Sequence, residues 1–216
     1  MKRLFLPFAL LISISFLGYS EESKAEGQII FSDKLESVSL WQIGGHKNGK
    51  KRVSIKGQYV EKSWEIKYKG SPCLKLHYNF TTSGEDAAFI KRKVNINCSK
   101  ESILRLILYG DNSKHLFFVV LKDKSGESHF FFSGRIFWRG WKTVKLPLSK
   151  LFTPPAHNVV DGKHWGGDEN QVLNPPITEI TIGLSDRTDS FIGEGDIYLA
   201  EVSVLEPQQG KEGEQR

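Results

Sequence analysis

The stretch SGRIFWRGWKTVKLPLSKLF, residues 133–152, decides the fold. Trp138-Arg139-Gly140-Trp141 makes a knuckle between two extended runs. Beyond it, Thr143, Lys145 and Pro147 alternate with Val144, Leu146 and Leu148. That period of 2 marks a half-buried strand. Downstream, HWGGDENQVLNPPI at 164–177 is a Gly- and Pro-punctuated loop carrying His164, Trp165 and Asp168. A rigid β scaffold that presents a long aromatic and polar loop reads as a binding device rather than a catalytic one.

Strand signals extend outward in both directions. They fall at 28–32, 38–43, 51–55, 58–68, 73–80, 87–96, 103–110, 116–123 and 128–134, then at 141–148, 177–185 and 195–205. Turn residues separate them, such as Gly84-Glu85-Asp86, Gly110-Asp111-Asn112 and Lys124-Ser125-Gly126. So many short strands without helix patterns predict an all-β, two-sheet antiparallel jelly-roll sandwich. There is no internal repeat.

The ends read differently. Lys2 and Arg3 precede an apolar run from Leu4 to Leu17, the pattern of a signal peptide. Gly18-Tyr19-Ser20 supplies small residues for cleavage, with Ser23-Lys24-Ala25 as a second option. The expected organisation is a signal peptide at 1–20, a short linker at 21–27, one sandwich domain at 28–206 and a disordered tail at 207–216. Removing residues 1–20 leaves 28 Lys+Arg of the 30, against 25 Asp+Glu. With no arginine-rich run, that mild excess does not point to nucleic acid. No later segment is apolar enough to span a bilayer as a helix. The chain is therefore expected to be secreted or periplasmic.

There are two cysteines. If 74–80 and 87–96 form a hairpin centred between Glu85 and Asp86, Cys73 and Cys98 face each other at its open end. In an oxidising compartment this predicts a Cys73–Cys98 disulfide. The alternative is two separate buried thiols.

Trp138, Trp141 and Trp165 are the first candidate constellation. Flat indoles stack on the apolar faces of sugar rings while nearby polar groups bond hydroxyls. Trp165, between His164 and a Gly-Gly pair, is expected to be exposed, supported by His164 and Asp168. Trp64 and Arg139 are further candidates, and Trp138 is open between core and surface. Trp141 begins an alternating strand and is expected in the core. His157, Asp161, His164 and Asp168 have helix-like metal spacing, but Gly162 and Pro154-Pro155 argue against a helix. No catalytic set is recognisable. Gly183-Leu184-Ser185-Asp186-Arg187 fails the nucleophile-elbow pattern, and the adjacent Asp168-Glu169 pair points apart.

Residues 103–148, with Tyr109-Gly110-Asp111, the Asp123–Glu127 turn and the Trp138–Lys142 step, resemble the galactose-binding-domain-like β-sandwich of carbohydrate-binding modules. The opening Phe31-Ser32-Asp33 and the closing Gly195–Val202 strand extend the resemblance over most of the chain. It implies a non-catalytic carbohydrate-binding protein with a polysaccharide or glycan partner. No cofactor is required. The resemblance also implies a structural Ca²⁺ held by Asp33, Glu36, Asp196 and Glu201, although Ala200 stands where an acidic ligand would lie. A weaker resemblance links Gly134–Lys142 to a strand of spirochaete periplasmic flagellar sheath proteins. It implies an envelope assembly protein with a protein partner as the alternative. A small glycan-active enzyme is the third expectation.

Overall fold

The structure is a computed structural model and describes residues 27–52, 55–84, 86–153, 166–186 and 191–208. The expected signal peptide, nearly all of the linker and the tail from 209 onward lie outside these residues, as do His164 and Trp165. Twelve strands run in order: β1 (Gln28–Asp33), β2 (Gln42–Lys47), β3 (Lys50–Arg52), β4 (Tyr59–Tyr68), β5 (Ser71–Phe80) and β6 (Ala87–Ile96). Then follow β7 (Ile103–Asp111), β8 (Leu116–Lys122), β9 (Ser128–Arg135), β10 (Arg139–Pro147), β11 (Ile177–Ser185) and β12 (Gly193–Glu206). Helix among the described residues is confined to two 3-10 turns, Val38–Leu40 and Leu148–Lys150. No helix there is long and apolar enough to cross a membrane.

The strands form two antiparallel six-stranded sheets, the jelly-roll sandwich that the alternation predicts. One has the order β10-β7-β12-β5-β4, with β1 also on β12. The other has the order β3-β2-β6-β11-β8-β9. Between them lies an apolar layer in which Leu74, Leu76, Leu104, Leu106, Leu108 and Ile197 meet Ile90, Val119, Leu121, Ile180, Ile182 and Leu184. The second expected strand, 38–43, begins as a 3-10 turn instead, and β2 starts only at Gln42. Trp41 explains the break: it turns inward, and its Nε1 donates to Asp33 at 3.0 Å. β2 then ends in a two-residue turn, with Asn48 and Gly49 at φ 50° and 69° and Lys47 opposite Lys50. An Asn-Gly turn of this kind matches the twist of a hairpin.

The expected β5–β6 hairpin is not formed. β5 pairs with β4 and β12, whereas β6 pairs with β2 and β11 in the other sheet. Residues 81–86 therefore cross between sheets about 10 Å apart rather than joining neighbours about 4.8 Å apart. Asp86 holds this crossing. Its carboxylate accepts from the Thr81, Thr82 and Asn48 amides at 2.7, 3.0 and 3.1 Å, and Lys47 Nζ lies at 3.5 Å. In turn, the Asp186 carboxylate accepts from the amides of Gly84 (3.1 Å) and Asp86 (2.8 Å).

The disulfide falls with the hairpin. Cys73 and Cys98 are both free thiols. Cys73 Sγ donates to the Ile66 carbonyl at 2.9 Å. Burial pushes both thiols up to about 11, helped at Cys98 by the Glu206 charge. Two thiols per chain are expected on titration of unreduced protein in denaturant, with slow labelling of Cys73 in the folded state. A count of zero thiols would restore the disulfide.

Asp86 gives a second expectation. Burial alone would raise its pKa, but the amides of Thr81, Asn48 and Thr82, with Lys47, hold it below the usual carboxylate value. A depressed folded-state value adds stability that is present above the unfolded pKa of about 4 and lost as pH falls through the folded value. Asp86→Ala leaves three amides without their acceptor and should cost at least about 3 kcal/mol at pH 7. Urea unfolding at several pH values should show that this difference shrinks towards pH 3.

Candidate functional site

The core fixes what faces outward on the first sheet. On β10, Val144 and Leu146 turn inward, so Trp141, Thr143 and Lys145 share the other face. Trp141 lies opposite Tyr109 of β7, and Tyr109 opposite Tyr198 of β12. Tyr198 lies opposite Lys75 of β5, and Lys75 opposite Glu61 of β4. One transverse row thus crosses five strands, about 19 Å at normal strand spacing. Its rings meet edge to face: Tyr109–Trp141 centroids are 5.5 Å apart and Tyr109–Tyr198 centroids 5.6 Å. Tyr68 packs on Trp141 at 5.0 Å, and Trp141 Nε1 donates to the Lys67 carbonyl at 3.1 Å.

A polar set lies beside this row. Arg139 is opposite Asp111, and His77 is opposite both Asp196 and Tyr59. Tyr59 stacks on His77 with centroids 4.7 Å apart, and His77 Nδ1 lies 2.8 Å from Asp196 Oδ1. Lys75 Nζ sits 3.3 Å from Glu61 and 3.5 Å from Asp196. Its burial alone would lower its pKa, but Tyr59, Asp196 and Glu61 raise it, so it stays charged. Between the two sets lies an open depression of about 430 Å³, lined by Tyr109, Asp111, Arg139, Glu194, Asp196 and Tyr198 among others. At its floor Tyr78 Oη donates to Asp111 Oδ2 at 2.6 Å, and the Ser113 amide donates to Oδ1 at 2.9 Å. Burial, reinforced by this bond to Asp111, pushes the Tyr78 hydroxyl well above its ordinary value. Gly195 is required here, because a Cβ would collide with the Tyr78 hydroxyl.

Of the described candidates from sequence, the structure brings Arg139 and Asp196 to this face, and it also places Trp141 there. The expectation that Trp141 is core is overturned: it shares its parity with Thr143 and Lys145, not with Leu146. Trp138 instead packs against the core, with Lys142 Nζ 4.8 Å from its ring centre. Trp64 stands in the irregular part of edge strand β4, 64% exposed, beneath Lys62 Nζ at 5.3 Å. Asp168 lies with the second sheet's β8–β9 turn, where it bonds Asn170 and Asn174. Trp138, Trp64 and Asp168 therefore do not form one patch. The aromatic residues not anticipated are Tyr59, Tyr68, Tyr109 and Tyr198. Tyr59, Tyr109 and Tyr198 follow the polar parity of their strands, which is the signal that marks them; Tyr68 shares its parity with Val60 and Ile66 and reaches this face only past the irregularity between Ser63 and Lys67.

The expected calcium quartet is also divided. Asp33 is ion-paired with Arg92, Asp196 with Lys75, and Glu201 with Arg105 at 2.7 Å. Asp33 lies opposite Val202, six residues along β12 from Asp196 and so about 20 Å away by strand rise. The group of described residues whose ligand atoms gather is Asp123, Glu127 and His129, all within 4.8 Å of one another.

No protein-family model matches the chain. No curated protein matches it in sequence. Among solved structures, a family 11 carbohydrate-binding module from Clostridium thermocellum, in complex with a β-1,3-1,4-mixed-linked tetrasaccharide, aligns with a TM-score of 0.56. The identity is 15%, over 84% of this chain and 96% of that one. The family 11 module of a cellulosomal cellulase from the same organism aligns with a TM-score of 0.54 at 15% identity, over 79% and 91%. The fold is thus the β-sandwich of carbohydrate-binding modules. The flagellar sheath resemblance gains no such support, since its segment is split between β9 and β10 in opposite sheets.

Tyr78→Phe tests the floor of the depression. It removes the buried donor to Asp111 and should cost about 1.5–3 kcal/mol, read from chemical denaturation. An unchanged midpoint would mean that Asp111 is satisfied by solvent.

Proposed function

We propose that this protein is a non-catalytic, extracytoplasmic carbohydrate-binding protein whose ligand lies across the outer face of the β10-β7-β12-β5-β4 sheet. The observation that carries this reading is the pair of partly exposed rings Trp141 and Tyr109, continued by the nearly buried Tyr198, beside Arg139, Asp111, Asp196 and His77. Aromatic rings offer apolar faces to the C–H faces of a sugar, and carboxylates, guanidinium and imidazole bond its hydroxyls. An elongated row over five strands suits a chain of sugars better than a single one. The family 11 module's mixed-linked β-glucan makes that polymer the first to test. The leader-like residues 2–20 support export.

Affinity electrophoresis and calorimetry against neutral polysaccharides, beginning with β-1,3-1,4-glucan, should show binding. Trp141→Ala should weaken it at least about tenfold, because stacking on a half-exposed ring is lost. The same change should leave the fold intact and move Tm by only a few degrees. No binding to any neutral polysaccharide would remove the reading, and release of reducing ends would remove its non-catalytic part.

A further inference from the structure

A second chemical site lies at the β8–β9 turn of the other sheet. Asp123, Glu127 and His129 are 1%, 2% and 1% exposed. The ligand-capable atoms of all three lie within 4.8 Å of one another. Two carboxylates are thus buried together, and His129 Nε2 lies beside one of them, Asp123. Glu127 Oε1 accepts from the Gln171 amide at 3.3 Å, but Oε2 is buried with no hydrogen-bond partner among those residues. A buried carboxylate oxygen without a partner is costly, and a bound cation supplies what is missing.

We propose that Asp123, Glu127 and His129 form a binding site for a divalent transition-metal ion, with Zn²⁺ as its best-fitting probe. His129 Nε2 lies 3.3 Å from Asp123 Oδ2, long for a charge-assisted hydrogen bond of about 2.7–2.9 Å. Zinc bonds of about 2.0–2.2 Å put two tetrahedral ligands about 3.3–3.6 Å apart, which is the spacing found. The other ring nitrogen, Nδ1, lies 2.6 Å from Thr153 Oγ1. With the Nδ1 proton donated to that hydroxyl, Nε2 presents its lone pair, the tautomer that a metal-binding histidine holds. One imidazole with two carboxylates favours zinc or a similar ion over calcium, which takes an all-oxygen shell. A depression of about 670 Å³, lined by His129, Thr153 and Gln171 among others, leads to the imidazole from outside.

The site joins two separate pieces of chain to the turn. Asp123 Oδ2 accepts from the Asn174 amide at 3.0 Å. Gly167 lies so close to Glu127 that a Cβ would overlap its backbone. Thr153 on one side and Gly166–Asn174 on the other flank the connection that carries His164 and Trp165. A metal here ties both roots of that connection to β8–β9, independently of the sugar-binding face.

The test uses the full chain freed of metal by a chelator and titrated with Zn²⁺. Calorimetry should give one site with Kd of about 10 µM or tighter. Tm should rise by about 5–10 °C at free Zn²⁺ roughly 100-fold above Kd. Mg²⁺ and Ca²⁺ should do neither. Glu127→Gln, which keeps the shape and removes the charge, should weaken Zn²⁺ binding at least about tenfold. Long-range ¹H–¹⁵N spectra of the wild type should show the His129 Nε2 resonance move on zinc addition. Three results overturn the site: no saturable 1:1 binding, an unmoved His129 Nε2 signal, or undiminished zinc affinity in folded Glu127→Gln. Tighter binding of Ca²⁺ than of Zn²⁺ also overturns it.

Discussion

The structure depends on burying one apolar layer between two sheets. β-strands alternate their side chains, so filling that layer with leucine and isoleucine commits every intervening residue to an outer face. On β10, β7 and β12 the intervening residues include Trp141, Tyr109 and Tyr198. Their alignment is thus a product of register. A slip of one residue in any of the three strands would turn its ring towards the core and its inward residues outward. The aromatic row and the core are two outcomes of one packing constraint.

The two sheets carry different chemistry for the same reason. The first presents its aromatic row and a mixed set of charges on an outer face, where the ion pairs of Lys75 and Arg105 are partly covered by their neighbours. The second also buries carboxylates in its turns, where they serve the backbone. Asp86 and Asp186 each collect amide donors, and the core continues on either side of them. Buried carboxylates of this kind contribute by satisfying N–H groups that a sheet crossing leaves without partners. They specify where the chain changes layers.

Local patterns in the sequence made the strands legible. The apolar alternation marks Ala87–Ile96 and Ile177–Ser185 at their observed ends. It could not say which strands pair. Gly84 and its neighbours suit a hairpin as well as a crossing, and the difference is made by Asp186, about 100 residues away. The disulfide expectation failed at that point, because Cys73 lies in β5 and Cys98 follows β6, a strand of the other sheet. The aromatic face is legible in part. Arg139 was recognised, and parity with Thr143 and Lys145 was sufficient to turn Trp141 outward. The core expectation for Trp141 rests on its place at the head of an alternating strand, without its parity. Tyr109 and Tyr198 become a site only once β7 and β12 are known to be neighbours, which is a tertiary fact. The Asp123–Glu127 turn was visible as a motif, but His129 joins it only through strand geometry.

One irregularity separates the shape of this face from its composition. In β12, Leu199 lies opposite Leu108 and Glu201 opposite Ile107, so Ala200 is an extra residue, a bulge that bends the strand beside Tyr198. Without Ala200, alternation would still send Tyr198 and Glu201 outward and Leu199 and Val202 inward. A one-residue change in chain length can therefore alter the curvature of the face while every side chain keeps its side. Under the proposed function, length variation at that position would set whether the face suits a straight or a bent polymer, with the same rings against it.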